Sequence, residues 1–292
     1  MKKFFEIIVV SIILGLLVSV VAAYPHGYEF RTSGTGTAAL SMEQSLSSPY
    51  SAKLTVATTS DKADILFKGG PTLNSLTALS YWTYTPTGKA GTFDQLTAWI
   101  GIFLHTQPGK TYDDWFTDYL AGPPASDNCF YIQAEPYYPY SNYYGVPDIS
   151  GTFDTWHKWD VFDPTIPLTW VGLESPDLPH EAPTLTDYST GAAVSFTTPY
   201  HGVQSFASRE YGTLFISAIR IREGYGGPWV DCVAYVDNVQ INDAFFYLET
   251  FEYVGGLWVP MNKIALFAPL ITIASFITLA TVSIVYVRRK KK

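Results

Sequence analysis

The stretch Ala234-Tyr235-Val236-Asp237-Asn238-Val239-Gln240-Ile241 decides the fold. Successive side chains of an extended chain point to opposite faces, so Val233, Tyr235, Val239 and Ile241 share one face. Asp237 falls on that face as well. A carboxylate on a core face needs either a bulge that turns it outward or a partner, such as a cation or an arginine. Just upstream, Gly226-Gly227-Pro228 punctuates a turn. Before that turn, Leu214 to Arg222 reads as a second strand, with Ile219 and Ile221 opposed to Arg220 and Arg222. The two arginines therefore share a surface, where they are expected to pair with acids.

The same pattern continues outward along the chain. Short β-branched and aromatic runs alternate with Gly/Pro turns, the signature of an all-β sandwich or barrel. Further candidate strands are Ser51 to Thr59, Ala63 to Phe67, Ala78 to Thr85, Leu96 to His105, Cys129 to Glu135 and His157 to Phe162. No long 3.6-residue apolar period stands out between residues 24 and 262, and no internal repeat occurs at fixed spacing. Asp163 to Pro183 contains five prolines and reads as a long ordered loop, because Leu168, Trp170, Val171 and Leu173 keep it apolar. Thr184 to Tyr188 reads as a single helical turn.

Both ends of the chain are apolar runs edged by bases. Lys2 and Lys3 precede an apolar run that closes at Ala22 and Ala23, the order of a secretory signal peptide over residues 1–23. An uncleaved anchor is the alternative. Ile264 to Val287 holds 24 residues without a charge, enough for a transmembrane helix, and Arg288 to Lys292 supplies a basic stop that places the C-terminus in the cytoplasm. The expectation is a cell-membrane protein with one C-terminal span at 264–287, a basic tail at 288–292 and an extracellular domain ahead of them. Residues 24–243 form the β domain, and 244–263 are a juxtamembrane stalk or its last strand.

The segment 24–262 carries 10 of the 18 basic and 25 of the 26 acidic residues, a formal charge of −15. Such a surface repels nucleic acid and anionic lipid, so nucleic-acid binding is set aside. The two cysteines, Cys129 and Cys232, both lie in the exported part and in strand-like segments. A disulfide between them would close a loop of about 100 residues and stabilise by about 4 kcal/mol. Two buried free thiols are the alternative.

Three pieces, in order, resemble the jelly-roll β-sandwiches of carbohydrate-binding modules and concanavalin-like lectin domains. They are Pro49-Tyr50-Ser51-Ala52-Lys53-Leu54, then Thr155-Trp156-His157-Lys158-Trp159-Asp160-Val161, and last the Ala234 to Ile241 strand. The resemblance implies a jelly-roll-like antiparallel β-sandwich ectodomain. It also implies a structural calcium ion at the positions matching an N-terminal Glu and a closing-strand Asp, here Glu29 and Asp237. The family spans binders, enzymes and inert spacers.

The densest aromatic patch is Tyr137-Tyr138-Pro139-Tyr140-Ser141-Asn142-Tyr143-Tyr144, followed by Asp148. Flat rings stack on the apolar faces of sugars, while Asn and Asp bond hydroxyls. Tyr and Ser also suit adaptable protein-binding loops, and a loop packed on the domain's own edge is the structural alternative. Period two places Trp159 in the core and Trp156 on the opposite face as a candidate platform. The candidate ligand-binding residues are therefore Tyr138, Tyr140, Tyr143, Tyr144, Asp148 and Trp156. Nothing resembles the Glu-x-Asp-x-x-Glu strand of sandwich-fold glucan hydrolases, and the five histidines show no metal-type spacing. No catalytic residue is assigned, and the chain is not expected to be an enzyme. The expected function is a surface-anchored binding module for a glycan or surface polymer. The rival is a structural or adhesive protein that contacts other proteins. A glycoside hydrolase ranks behind both.

Overall fold

The strand that opened the sequence reading is the centre of one sheet. In the computed structural model, β13 (Cys232–Ile241) pairs with β3 (Ser51–Val56) and β14 (Ala244–Phe246) on one side and with β5 (Leu79–Tyr84) on the other. Its register against β5 shifts between Asp237 and Gln240, and Asn238 there has φ 46°. This bulge switches the phase of the strand. Ala234, Val236, Val239 and Ile241 all join the core, while Tyr235 and Gln240 lie opposite the outward Tyr84 and Ser80. The face expected for Val233, Tyr235, Val239 and Ile241 is thus split in two by the extra residue. Asp237 is fully buried, and among the described residues backbone donors, not an arginine, satisfy it. Its carboxylate accepts from the backbone N–H of Leu46 (3.1 Å), Ser47 (3.5 Å) and Asn238 (2.7 Å).

The structure describes residues 27–47, 49–91, 97–135, 150–164, 166, 168–171, 183–190, 193–198, 202–207, 211–224 and 230–248. The expected signal segment and the span at 264–287 lie outside them. Among the described residues, no helix is long and apolar enough to cross a membrane.

The described chain forms an all-β sandwich of two antiparallel sheets. The first runs β1 (Tyr28–Ser33), β4 (Lys62–Lys68), β12 (Phe215–Gly224), β6 (Trp99–His105), β7 (Cys129–Ala134) and β9 (Leu168–Val171). The second runs β2 (Thr37–Ser41), β3, β13, β5 and β8 (Trp156–Asp160), with β14 beside β13. A separate hairpin joins β10 (Ala193–Thr198) to β11 (Gly202–Ala207). The inward rows meet in one core that includes Leu54, Val56, Ile65, Tyr81, Ile102, Ile132, Trp159, Ile219 and Ile221. Burial of such β-branched and aromatic side chains, about 2 kcal/mol each, is what holds the two layers together. All eight candidate strands are present. The proline-rich stretch also contributes β9, and Leu185–Thr190 forms a short helix, α2, where one turn was expected.

A ten-residue helix, α1 (Tyr112–Ala121), was not expected. A capping box starts it: the Thr111 hydroxyl accepts from the Asp114 N–H, and the Asp114 carboxylate accepts from the Thr111 N–H. Trp115 fastens it to the first sheet, donating its indole N–H to the carbonyls of Leu104 and Phe130. Beneath it lies a second, smaller cluster of Leu66, Phe103, Trp115, Cys129 and Ala218.

The expected disulfide is not formed. Cys129 sits opposite His105 in the first sheet, under α1, whereas Cys232 sits opposite Val56 in the second sheet and faces the core. Side chains rooted in different sheets and different clusters do not meet the close Cβ approach a bridge requires. Burial raises both thiols, that of Cys129 to about 11.

Candidate aromatic surface

Cross-strand register assembles a row that linear sequence does not display. On the outer face of the second sheet, Ala39 pairs with Lys53, Lys53 with Tyr235, Tyr235 with Tyr84, and Tyr84 with Trp156. The row therefore crosses the five strands from β2 to β8 at one level. The Tyr84 ring lies 5.8 Å from Trp156 and 5.9 Å from Tyr235, centroid to centroid. Trp82 stands on the same face one level along, between Asp237 and Lys158. Trp82, Tyr84 and Trp156 are half-buried, while Tyr235 is nearly covered.

The buried end of the row is locked by charge. The Lys53 ammonium lies 5.4 Å from the Tyr235 ring centroid and donates to both oxygens of Glu43. The Tyr235 hydroxyl donates to the same carboxylate at 2.6 Å. Lys53 and then Tyr235 hold the Glu43 carboxyl below its usual range, and Glu43 in turn raises Lys53. Burial first, and then Glu43, pushes the Tyr235 phenol up. Tyr235 is thus a fixed support, and the half-exposed Tyr84 and Trp156 form the working edge. Two rings side by side on a rigid sheet can stack on flat apolar surfaces; the row offers no nucleophile or acid–base pair.

Trp156 is the residue of the predicted set that the structure places in this row. Tyr138, Tyr140, Tyr143, Tyr144 and Asp148 lie outside the described residues. Glu29 and Asp237 are not brought together. Glu29 lies on β1 of the first sheet and accepts from Arg31, whereas Asp237 belongs to the second sheet. Both oxygens of Asp237 face N–H donors, the opposite of what a calcium ion needs, so this pair does not fit the ion. Among the described residues, no group of three or more His, Cys, Asp or Glu side chains could hold a metal. Tyr84 and Tyr235 were not singled out from sequence, because only strand pairing makes them neighbours of Trp156.

The outer face of the first sheet differs in character. Arg222 meets Asp64 with two bonds of 2.6 Å, as its expected pairing with an acid requires. Among the described residues, Arg220 forms no ion pair with an acid. Its guanidinium lies over the rings of Phe103 (4.7 Å) and Trp99 (5.1 Å), and it donates to the Tyr131 hydroxyl at 2.9 Å.

The fold and this surface define a two-sheet antiparallel β-sandwich with an aromatic outer row. No family model matches the chain, and no curated protein matches it. Among solved structures it is similar to the family 11 carbohydrate-binding module of the cellulosomal cellulase Lic26A-Cel5E of Clostridium thermocellum. Sequence identity is 8%, the TM-score is 0.34, and the alignment covers 78% of this chain and 96% of that one. A likeness at that level says nothing of what this chain binds, which has to be read from its own residues.

Proposed function

We propose that this protein is a cell-surface binding module that recognises a glycan or surface polymer through aromatic side chains. Its β-sandwich, jelly-roll-like by resemblance, is held outside the cell by the span at 264–287, with the basic tail inside. The observation that carries the reading is the row Trp156–Tyr84–Tyr235, two half-exposed rings backed by a third that Lys53 and Glu43 hold in place. Such a row matches the C–H faces of successive sugar rings, and its rigidity lowers the entropic cost of binding. The Tyr-rich stretch 137–144 is the second candidate contact.

The test is binding of the purified full chain to a polysaccharide panel, with and without calcium. Trp156→Ala and Tyr84→Ala are each expected to weaken binding about tenfold with the fold intact, the loss of one stacking contact. Unchanged binding in both folded variants would remove the row from the site. A second reading, contact with another protein, draws on Phe245 (53% exposed) and Tyr247 (49% exposed), stacked rings at the β14 side of the same sheet. Failure of every polysaccharide to bind would favour it.

A further inference from the structure

The chain is acidic, yet it buries an arginine that Asp64, among the described acids, favours only through space, without an ion pair. Arg220 is 6% exposed, and among the described residues it makes no ion pair. Its Nε has no hydrogen-bond partner. The neighbouring Asp64 gives its two bonds to Arg222 and acts on Arg220 only through space. Lys62 lies on the adjoining strand opposite Gly224, and burial first, then the like charges of Arg222 and Arg220, lower it. Interiors pair their charges because an unpaired one is costly; here burial works against the Arg220 charge, but Tyr131, Asp64 and Tyr112 together favour it, and the rings of Phe103 and Trp99 lie against the guanidinium.

Around this guanidinium the face is built of groups that suit sugars. Gly101 has no Cβ, and one there would stand 2.5 Å from the Tyr131 hydroxyl oxygen; its absence lets the ring lie across the sheet beside Arg220. From Tyr131 a relay runs along β7. The Tyr131 hydroxyl donates to the Gln133 carbonyl oxygen at 3.0 Å, and the Gln133 amide donates to Glu135 at 2.7 Å. Thr169 donates to the same carboxylate at 3.1 Å. These side chains are half-buried, and their hydroxyl and amide groups can exchange partners with sugar hydroxyls.

We propose that the outer face of the first sheet binds an acidic saccharide, with Arg220 taking its carboxylate or sulfate and the Tyr131–Gln133 relay taking its hydroxyls. The inference rests on the reading of the protein as a glycan-binding module and names the ligand's chemical class. Tyr112, the first residue of α1, packs edge-on against Phe103 at 4.8 Å and also favours the Arg220 charge as a side-chain neighbour, so an anion that reaches the guanidinium has to take the place of its phenol.

The experiment titrates the full chain with polygalacturonate, a sulfated galactan and a neutral glucan, at low and high salt. One anionic polymer is expected to bind about tenfold tighter than the neutral one at low salt, a margin that shrinks as salt rises. Arg220→Gln should erase that margin while leaving neutral-glucan binding in place. Which anionic polymer shows the margin identifies the anion as carboxylate or sulfate. A folded Arg220→Gln that keeps the margin overturns the proposal, as does neutral-glucan binding that neither anionic polymer exceeds. Should Arg220→Gln fail to fold, Lys62→Gln is the deciding variant, and its margin should fall by about threefold. An unchanged margin there would overturn the proposal. Absence of binding to all three polymers instead sinks the module reading on which the proposal stands.

Discussion

Three buried carboxyl groups show how surroundings, not residue type, set the behaviour of an acid. Asp61 accepts from the Thr35 hydroxyl and from the N–H groups of Thr35, Thr58 and Ala57, and these donors hold it far below its usual range. Asp237 also accepts N–H bonds, but burial outweighs them and raises it. Glu223 is fully buried, among the described residues only the weakly donating Cys232 thiol lies near its carboxyl, and burial raises it well above the ordinary glutamate value. The sign of its effect follows from linkage. Below the unfolded-state pKa, Glu223 is protonated in both states and costs nothing. As pH rises toward the folded-state value, the unfolded chain releases the proton first and stability falls. Asp61 acts in the opposite sense, and its contribution is lost only as pH falls through its lowered folded-state value. Glu223→Gln should therefore raise the melting temperature at pH 8 by about 5 °C and leave it almost unchanged near pH 4. Calorimetry at the two pH values decides the matter, and a variant that melts no higher than wild type at pH 8 would show that Glu223 is not a buried neutral acid.

Among the elements, β13 joins the core to the aromatic row, and its bulge makes that possible. Without the extra residue, Tyr235 and Ile241 would face the same side, and one would be misplaced. Asn238 suits the position because its φ of 46° is a left-handed conformation that Asn tolerates and because its side-chain carbonyl accepts the Ser47 hydroxyl at 2.6 Å. Asn238→Val, β-branched and unable to accept that bond, is expected to cost about 2 kcal/mol in urea unfolding. Asn238→Gly should cost less than half as much, since glycine keeps the conformation and loses only the bond. Equal losses in the two variants would mean the backbone conformation is not what Asn238 supplies. The same bulge explains where the sequence was legible and where it was not. The central strands announced themselves through dense apolar runs, and Asp237 on an apparent core face marked an irregularity, but a switch of phase cannot be read from alternation alone. The α1 helix escaped because only Trp115 of its large apolar residues is buried, while Phe116, Tyr119 and Leu120 remain exposed, so no apolar stripe faces a core. Thr111-x-x-Asp114 was the signal that could have revealed it. Trp156 was legible as an outward ring, but its partners Tyr84 and Tyr235 lie on other strands and become neighbours only through pairing.

The described sandwich sets its two sheets on either side of one main core, and that layering also decides the fate of its cysteines. Cys129 belongs to the cluster under α1, outside the first sheet, and its thiol donates to the Trp115 carbonyl at 3.4 Å. Cys232 lies in the main core, with its thiol toward the Val230 carbonyl at 3.7 Å. Each fills its own site as a small apolar group, and burial keeps both protonated at neutral pH, so neither is a ready nucleophile. A sandwich of this size, with a core drawn from both of its six-stranded sheets, needs no crosslink to be stable. Under the proposed export through an oxidising compartment this is a demanding prediction, because accessible thiols are oxidised there. The folded chain, isolated without reductant, should show no thiol that reacts with an aromatic disulfide reagent and two that react after unfolding in guanidinium. Its melting temperature should not change when a reductant is added. No reactive thiol after unfolding, together with a reductant-sensitive melting temperature, would mean that the two cysteines meet, and the placement of β7 and β13 in separate sheets would have to be abandoned.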